Sequence, residues 1–219
     1  MSNTLNISEI FYSIQGEGTR AGLPCVFVRL QGCMLRCSWC DTPYALEINQ
    51  VEKIKTFDEI IEEINSYDCQ LVEFTGGEPL TQKNVAALMN ILLDMGKEVA
   101  VETNGHADIS ILDARVVKIM DIKCPDSAMS KYNRFSNLEY LDAKDEIKFV
   151  ISSEADANWA LGIINEYKLF EKVKTIMFSP AFGLMEAKKL AEIVLQADSR
   201  IRLQLQIHKF IWSPDTRGV

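Results

Sequence analysis

The feature that most constrains this chain is a group of three cysteines within eight residues, Cys33, Cys37 and Cys40. Their C-x3-C-x2-C spacing lets one loop direct three thiolates at one point, which suits three irons of a cuboidal 4Fe–4S cluster. Because most such clusters bind four cysteines, a local set of three indicates an iron that is open to another ligand. Structural zinc usually takes four ligands, often from paired C-x2-C arms, and the sequence has no second arm of this kind.

Two further segments carry recognisable motifs. Residues 74–79 read FTGGEP, and residues 101–105 read VETNG. The cysteine loop, with an aromatic residue before its third cysteine, resembles the cluster loop of radical S-adenosylmethionine enzymes. In that superfamily the open iron binds the amino and carboxylate groups of the cofactor's methionine moiety. The two segments resemble its GGE motif and its next strand end, so the three motifs together imply a 4Fe–4S cluster and S-adenosylmethionine as cofactors.

Composition narrows the class of protein. A chain of 219 residues that is 47% hydrophobic and 25% charged can build one substantial core, so we expect a single domain over residues 1–219. The net charge of −8 argues against nucleic acid as a partner. The sequence shows neither a secretory signal nor an apolar run of membrane-spanning length. Six cysteines without such a signal are typical of thiols and metal ligands in the cytoplasm.

Strand-like and helix-like stretches alternate along most of the chain. The predicted strands are residues 25–30, 71–74, 99–102, 116–122, 147–151, 175–178 and 202–206, and the predicted helices are 57–65, 84–95, 155–167 and 185–197. Strands that alternate with helices of this length indicate βαβ units and a parallel sheet. Residues 123–141 are polar and weakly periodic, which predicts a long loop with at most one short helix.

Two helix ends carry specific signals. Thr56 with Glu59 three residues later predicts a capping box at the start of the first helix. Gly96 follows the second helix and is a candidate for the left-handed residue that ends it.

The sequence predicts fewer than eight βα units, which excludes a complete TIM barrel. An open partial barrel and a doubly wound sheet both remain possible, and the hydrophobic periodicity does not distinguish them. The resemblance favours an α/β fold with a partial, open βα barrel of the radical S-adenosylmethionine type and about six parallel strands. In either architecture ligands bind at the carboxyl ends of the strands. The cysteine loop and both motif segments follow predicted strands, so we expect them to share one rim.

Candidate cofactor ligands lie at these strand ends. Gly76 and Gly77 remove side chains where backbone must approach a ligand closely, although a tight turn is an alternative explanation for both. Glu78 adds a carboxylate for the methionine ammonium group, and by the resemblance Trp39 packs beside the adenine. For Lys123 an ordinary surface lysine explains the residue equally well. The candidate cofactor-binding residues are Trp39, Cys40, Asp41, Gly77, Glu78, Glu102, Asn104, Asp121, Lys123 and Ser179.

The two ends of the chain narrow the resemblance to one family. Residues 11–18 (FYSIQGEG), 26–33 (VFVRLQGC) and 40–42 (CDT) resemble the 7-carboxy-7-deazaguanine synthase family, and residues 208–210 (HKF) resemble its C-terminal signature. The resemblance covers nearly the whole chain. It implies radical ring contraction of 6-carboxy-5,6,7,8-tetrahydropterin with loss of ammonia. It also implies a flavodoxin or ferredoxin as electron donor, Mg²⁺ as a further cofactor, and a homodimer.

Transferred position by position, the resemblance assigns roles around the substrate. The substrate-binding candidates are Ile14, Gln15, Gly16, Glu17, Arg29, Thr75 and the terminal carboxylate of Val219, and Thr42 is the Mg²⁺ candidate. A pterin edge alternates donors and acceptors, which a Gln amide, a Glu carboxylate and exposed backbone can match. Arg29 can hold a carboxylate with two hydrogen bonds, or alternatively pair with Glu17. Mg²⁺ prefers oxygen ligands such as a hydroxyl.

The chain departs from the family at two places, and two alternatives stay open. Where the family has Ser-Pro-Lys, residues 121–125 read DIKCP, and the chain runs on past the HKF signature. A glycyl-radical enzyme activase shares the cysteine loop but has no use for a pterin pocket. A non-catalytic iron–sulfur redox protein or zinc-binding protein is less consistent with the missing fourth ligand. Cys25, Cys69 and Cys124 are expected to be buried or half-buried thiols.

Overall fold

The computed structural model describes residues 3–48, 53–214 and 216–219, and these form one sheet with helices on its outer side. The strands are β1 (Thr4–Ile14), β2 (Pro24–Leu30), β3 (Lys53–Thr56), β4 (Leu71–Gly76), β5 (Glu98–Thr103), β6 (Val117–Asp121), β7 (Glu146–Ile151), β8 (Thr175–Pro180) and β9 (Ile201–Leu203). The helices are α1 (Phe57–Asn65), α2 (Val85–Asp94), α3 (Glu154–Glu166), α4 (Ala187–Gln196) and α5 (His208–Ile211).

The sheet is mostly parallel and open. Its strand order is β3-β1-β2-β4-β5-β6-β7-β8-β9, so β3 and β9 lie at opposite edges. The seven strands from β2 and β4 through β9 are parallel, while β1 runs antiparallel to β2 and β3 antiparallel to β1. This confirms the predicted α/β open partial barrel; the described residues form seven parallel strands, where about six were expected.

The antiparallel pair at one edge was not predicted. β1 runs alongside β2 from Ile7 opposite Leu30 to Ile14 opposite Pro24, with an irregularity near its start. The N-terminal segment carries predicted ligand residues, but its sequence pattern did not predict this strand. β3 is a short, mostly exposed edge strand, and it carries too little apolar alternation to signal itself.

Helix ends agree with their signals. The Thr56 hydroxyl accepts a hydrogen bond from the Glu59 amide (3.3 Å), and the Glu59 carboxylate accepts one from the Thr56 amide (2.7 Å), which completes the predicted capping box. A cap of this kind stabilises a helix by about 1 kcal/mol. Gly96 follows α2 with φ of +88°, which confirms its predicted left-handed conformation.

Two segments differ from prediction. β9 ends at Leu203, because the side chain of Gln204 turns the chain toward the N-terminal loop: its amide oxygen accepts from the Gly18 amide at 2.9 Å. Residues 123–141 contain three short 3-10 segments where at most one short helix was expected. Buried Asn137 holds part of this stretch by donating to the carbonyls of Gly105 (3.0 Å) and Ala107 (2.7 Å).

The apolar core fills the space between the sheet and its helices. Phe149 and Phe178 are fully buried there with ring centroids 5.8 Å apart, and Trp159 of α3 approaches Phe149 edge-on at 6.5 Å. Such aromatic pairs contribute about 0.5–1.5 kcal/mol beyond their area burial. Among the described residues, no helix has both the length and the apolar character required to cross a bilayer.

The opposite face of the sheet is polar. In β7, Ile147, Phe149 and Ile151 are fully buried in the main core, and the alternation of side chains along a strand places Lys148 on the other face. Ala100, Val117, Ile119 and Met177 form a separate small apolar cluster. Glu73, Glu102, Glu146 and Lys148 gather around a small cavity together with Ile119 and Met177. This charged inner face leads to the rim where the strands end.

Candidate functional site

A pocket of about 260 Å³ lies at the carboxyl ends of the parallel strands. This is the edge at which open and closed βα barrels bind ligands. Sequence-predicted site residues that line the pocket are Ile14, Gln15, Gly16, Glu17, Arg29, Cys33, Cys37, Trp39, Cys40, Asp41, Thr42, Thr75, Gly77, Glu102, Asn104, Asp121, Lys123, Ser179 and Val219. The pocket therefore unites residues from both chain ends, the cysteine loop and five strand ends.

Glu78 is the exception among the predicted residues. It is 1% exposed, and one of its carboxylate oxygens accepts from the Leu80 amide (3.0 Å) and the Thr103 hydroxyl (2.9 Å). The other oxygen accepts from the Asn104 amide at 2.7 Å. Burial raises the pKa of this carboxyl, and the three donors oppose the rise. Glu78 thus ties the end of β4 to the end of β5 behind the pocket wall, and its carboxylate does not face the pocket.

The three cysteines of the loop are half-buried and suit ligation of a cluster. Burial raises the pKa of each thiol, and the charge of Lys123 opposes that rise at all three. The Asn104 amide approaches the Cys33 sulfur at 3.6 Å. A nearby cation and N–H donors stabilise thiolates, the form that binds iron.

The three cysteines, which the sequence predicts to face one point, all line this pocket. Within the described residues, no three His, Cys, Asp or Glu side chains form a set able to hold a single metal ion. A cuboidal cluster binds each thiolate to a different iron, so ligands spaced around a shared pocket are compatible with it.

Gly76 and Gly77 allow two segments of backbone to cross. A Cβ on Gly77 would lie 2.3 Å from the Gly32 carbonyl oxygen, and a Cβ on Gly76 would lie 2.3 Å from the Leu30 carbonyl oxygen. Gly76 also has φ of +123°, a conformation that favours glycine. Gly77 is therefore required by packing of the β4 end against the cysteine loop, and Gly76 by its packing against the end of β2. Both glycines also line the pocket.

Arg29 lies on the inner face of β2 with an acidic partner. Its Nε contacts Glu9 Oε1 at 2.7 Å, and the alternative pairing with Glu17 that the sequence allowed is wrong. The guanidinium carbon lies 5.5 Å from the Phe11 ring centroid and 5.9 Å from that of Tyr44. The Tyr44 hydroxyl donates to the same Glu9 oxygen at 2.9 Å, so the guanidinium is held in a defined position.

Gln15 is oriented by a buried carboxyl that sequence reasoning missed. Its amide nitrogen donates to Glu73 Oε2 at 2.5 Å, and its amide oxygen accepts from the Glu17 backbone at 2.9 Å. Burial, together with the charges of Glu102 and Glu17, raises the pKa of Glu73 to about 8. The sequence signal that could have identified Glu73 is a glutamate inside the apolar run of a buried strand.

Lys148 was missed as well. It is 5% exposed, and its ammonium donates to Glu17 Oε2 at 2.9 Å and to Glu102 Oε1. Burial lowers its pKa, but Glu102, Glu17 and Asp121 outweigh that effect and raise the pKa well above the usual value. The other Glu102 oxygen accepts from the Thr75 hydroxyl at 3.3 Å. The signal was again a charged residue inside an apolar strand.

The cysteine loop is linked to the C-terminal segment through Asp41. Lys209 and the Gln206 amide each approach Asp41 Oδ2 at 3.4 Å, and the Thr42 hydroxyl donates to Asp41 Oδ1 at 3.0 Å. Burial raises the pKa of Asp41, but Lys209 and Lys148 outweigh it and bring the pKa to about 2. The carboxylate is therefore charged over the physiological range.

The two chain ends form one wall of the pocket. The Gln206 amide donates to Glu17 Oε1 at 2.8 Å, and the Ile207 backbone amide donates to the Gly16 carbonyl at 3.1 Å. The His208 ring lies where a Cβ on Gly16 would be, with Nδ1 only 2.0 Å from that position. Gly16 is thus required by the packing of the C-terminal segment.

Comparison with known proteins first identifies the class of protein to which this chain belongs. A sequence model described as the Radical SAM superfamily matches residues 27–121, which span β2 to β6, the cysteine loop and both motif segments. Together with the open barrel and the three thiols at its rim, this defines a radical S-adenosylmethionine domain.

Full-length relatives give the family. The chain is 44% identical to the 7-carboxy-7-deazaguanine synthase of Chlorobaculum tepidum, with 98% of this chain and 97% of the relative covered. It is 41% identical to the same enzyme of Koribacter versatilis, with 98% and 100% covered. The crystal structure of QueE from Escherichia coli shares the fold, with a TM-score of 0.76 at 22% identity over 93% of this chain and 94% of that chain. The chain belongs to the 7-carboxy-7-deazaguanine synthase family, as its motifs predicted.

Proposed function

We propose that this chain converts 6-carboxy-5,6,7,8-tetrahydropterin into 7-carboxy-7-deazaguanine, with loss of ammonia, as a radical S-adenosylmethionine lyase. The observation that carries the proposal is identity above 40% over nearly the whole chain to relatives named for this activity. The pocket supports it, because residues that the family resemblance assigned to substrate and to cofactor line the same cavity.

One half of the pocket suits the cofactors. Cys33, Cys37 and Cys40 would ligate a 4Fe–4S cluster, and the remaining cofactor candidates in the pocket would hold S-adenosylmethionine against its open iron. When bound and reduced, this pair would supply the radical chemistry that removes a hydrogen atom from the substrate. The protein's task is then to orient the two ligands and to exclude water and oxygen.

The other half offers polar groups to a pterin. Gln15 and Glu17 present an amide and a carboxylate in fixed orientations, and Thr75 adds a hydroxyl beside them. Arg29 supplies a cation for the substrate carboxylate. The terminal carboxylate of Val219, which lines the same cavity, is a further acceptor for the donors of the ring.

Mg²⁺ would complete the site beside Thr42. Its hydroxyl and the neighbouring Asp41 carboxylate provide oxygen at the pocket wall, and a hard cation takes its remaining ligands from water and from substrate oxygens. The ion would hold the substrate carboxylate in place during rearrangement.

The family resemblance also supports a proposal for the electron donor and the assembly. We infer a flavodoxin or ferredoxin as donor from the family resemblance. The outer side of the cysteine loop would be accessible to such a protein, since Met34 is 73% exposed. A homodimer in the cytoplasm is the expected working form, and a reducing compartment suits free thiols. Sedimentation of the anaerobic protein tests the dimer, because a single monomeric species contradicts it.

The function is tested by anaerobic turnover of the reconstituted protein with the tetrahydropterin, S-adenosylmethionine and dithionite, with both products followed by mass. Wild-type protein should form the deazaguanine, and removal of Mg²⁺ by a chelator should slow it. Arg29→Ala should weaken substrate binding about ten- to a hundred-fold, the equivalent of about 1.5–3 kcal/mol for a hydrogen bond to a charged group. Arg200→Ala, which removes a surface arginine paired with Asp198, is the matched control and should behave as wild type.

Wild-type protein that makes no deazaguanine refutes the synthase. If that protein still cleaves S-adenosylmethionine, a glycyl-radical activase becomes the better explanation. A protein that holds iron but never cleaves the cofactor is instead the non-catalytic redox protein.

A further inference from the structure

Lys148 links two carboxylates of the pocket that come from different parts of the fold. It projects from β7 onto the inner face of the sheet and is 5% exposed. Its ammonium binds Glu17, which the family resemblance assigns to substrate, and Glu102, which it assigns to the cofactor. These carboxylates belong to different parts of the fold, since Glu17 follows β1 and Glu102 lies in β5.

Each carboxylate held by Lys148 has a second partner. The remaining oxygen of Glu17 accepts from the Gln206 amide at 2.8 Å, and that of Glu102 accepts from the Thr75 hydroxyl at 3.3 Å. Hydrogen bonds from two sides restrict the rotation of each carboxylate. The ammonium is thus the shared centre of a chain of contacts that runs from the C-terminal segment to the end of β4.

The charge balance shows why a cation is required at this point. Glu73, Glu17 and Glu102 lie close enough for the charges of the latter two to raise the pKa of Glu73. Without a cation between them, the repulsion of Glu17 and Glu102 would push the two carboxylates apart. Removal of one member of a buried ion pair also leaves the other charge uncompensated, which is strongly unfavourable.

We propose that Lys148 is a positioning residue that, by binding Glu17 and Glu102 together, fixes the substrate at a set distance from the radical-generating cofactor. This inference rests on the proposed function. A lysine in this role touches neither ligand's reacting atoms. Its effect lies in the coupling between cofactor cleavage and product formation, because a misplacement of about 1 Å can cost on the order of a hundred-fold in a reaction step.

The chain contains a matched control lysine. Lys118 of β6 is also buried, and its ammonium pairs with Asp145 Oδ2 at 3.0 Å with both side chains less than 5% exposed. It is not among the described residues that line the pocket. Lys118→Met therefore removes a buried ion pair of the same kind and alters stability without touching the site.

The experiment measures the ratio of 5′-deoxyadenosine released to deazaguanine formed, in anaerobic turnover of the reconstituted protein. Lys148→Met should raise this ratio by about tenfold or more, while its affinity for S-adenosylmethionine stays within about twofold of wild type. Lys118→Met should keep the wild-type ratio. Lys148→Arg keeps the charge but changes the geometry of the donors, so it should fold stably and give an intermediate ratio.

The outcomes separate the two proposals. If wild type makes no deazaguanine, the proposed function fails and this inference fails with it. If wild type is active and Lys148→Met keeps the wild-type ratio, Lys148 does not position the ligands. Equal increases in Lys148→Met and Lys118→Met also overturn the inference, because loss of stability alone would then explain both. Should Lys148→Met fail to fold, a wild-type ratio in Lys148→Arg overturns it.

Discussion

At the scale of single residues, burial and charge divide the six cysteines into two groups. Cys25, Cys69 and Cys124 are buried, as predicted, and burial raises the pKa of Cys25 and Cys124 far above the physiological range. Cys25 and Cys124 therefore stay protonated, and buried thiols of this kind behave as small apolar side chains. The other three line the pocket near the charge of Lys123.

This division predicts which cysteines carry iron. Cys37→Ala should lose most of the roughly four irons per chain that a cuboidal cluster holds, because two thiolates cannot replace three. Cys124→Ala is the control and should retain them. Iron analysis and the absorbance of the anaerobically reconstituted proteins measure both. A complete, active cluster in Cys37→Ala would refute the assignment.

Glu73 predicts a pH dependence of stability. Its pKa rises from the usual 4.5 to about 8 in the folded protein, chiefly through burial. The folded state therefore binds the extra proton across this window, so the free energy of unfolding should fall as pH rises from about 4.5 to 8. Glu73→Gln has no charge to bury, so its free energy of unfolding should not fall in this way. Near pH 8 it should therefore exceed the wild-type value by up to roughly 4 kcal/mol, since each pKa unit corresponds to about 1.4 kcal/mol.

Urea unfolding at several pH values between 5 and 8 measures this difference. Glu139→Gln, which replaces an exposed glutamate, is the control and should run parallel to wild type. If the difference between Glu73→Gln and wild type stays constant with pH, Glu73 does not carry the extra proton.

At the scale of elements, the crossing of the β4 end over the cysteine loop depends on the absence of a side chain at Gly77. An added Cβ would lie 2.3 Å from the Gly32 carbonyl oxygen and 2.8 Å from that of Ala45, and backbone atoms cannot move aside cheaply. Gly77→Ala should therefore displace the loop and lower both cluster content and the melting temperature.

Gly162 offers the matched control for this prediction. It lies in α3 with nothing within 4 Å of its added Cβ, so Gly162→Ala should stabilise the protein by about 1 kcal/mol through helix propensity. Cluster content equal to wild type in both variants would show that the crossing tolerates a side chain.

Elements were predictable where their signals were local. The parallel strands are apolar runs bounded by turns, and the helices begin with caps such as Thr56 and end with residues such as Gly96. β1 and β3 were missed because an edge pair depends on its partners: β1 gains its register from antiparallel contact with β2 and β3. Residues 204–206 were predicted to be part of the last strand but do not form one, because the Gln204 side chain accepts a hydrogen bond from the distant Gly18 amide.

At the scale of the whole molecule, the two chain ends meet over the pocket. Val219 lines the cavity, and the guanidinium of Arg217 stacks 3.8 Å from the Tyr44 ring centroid. A chain that ends at Pro214 should bind the tetrahydropterin about ten- to a hundred-fold more weakly, since its terminal carboxylate lies at Pro214 and no longer at the position of Val219. Calorimetric titration of the reconstituted protein measures this affinity.

Val219→Ala separates the carboxylate from the side chain, because it keeps the terminal group and removes two methyl groups. It should bind the substrate nearly as well as wild type. Equal losses in Val219→Ala and in the shortened chain would mean that the terminal carboxylate is not a ligand. The melting temperature should change little in either, since residues 216–219 are exposed or half-exposed.

The amino-acid sequence by itself determined the family, the parallel arrangement of strands and helices, and most of the residues at the rim, because each depends on local spacing: three cysteines in one loop, glycines at a strand end, and alternating strands and helices. Tertiary structure alone decided how the charges are paired. Arg29 pairs with Glu9 and not with Glu17, and the Glu78 carboxylate bonds behind the pocket wall. Lys148 binds both Glu17 and Glu102. The packing of strands that are distant in sequence decides which buried charges become neighbours. The spacing of residues along the chain does not predict these pairs.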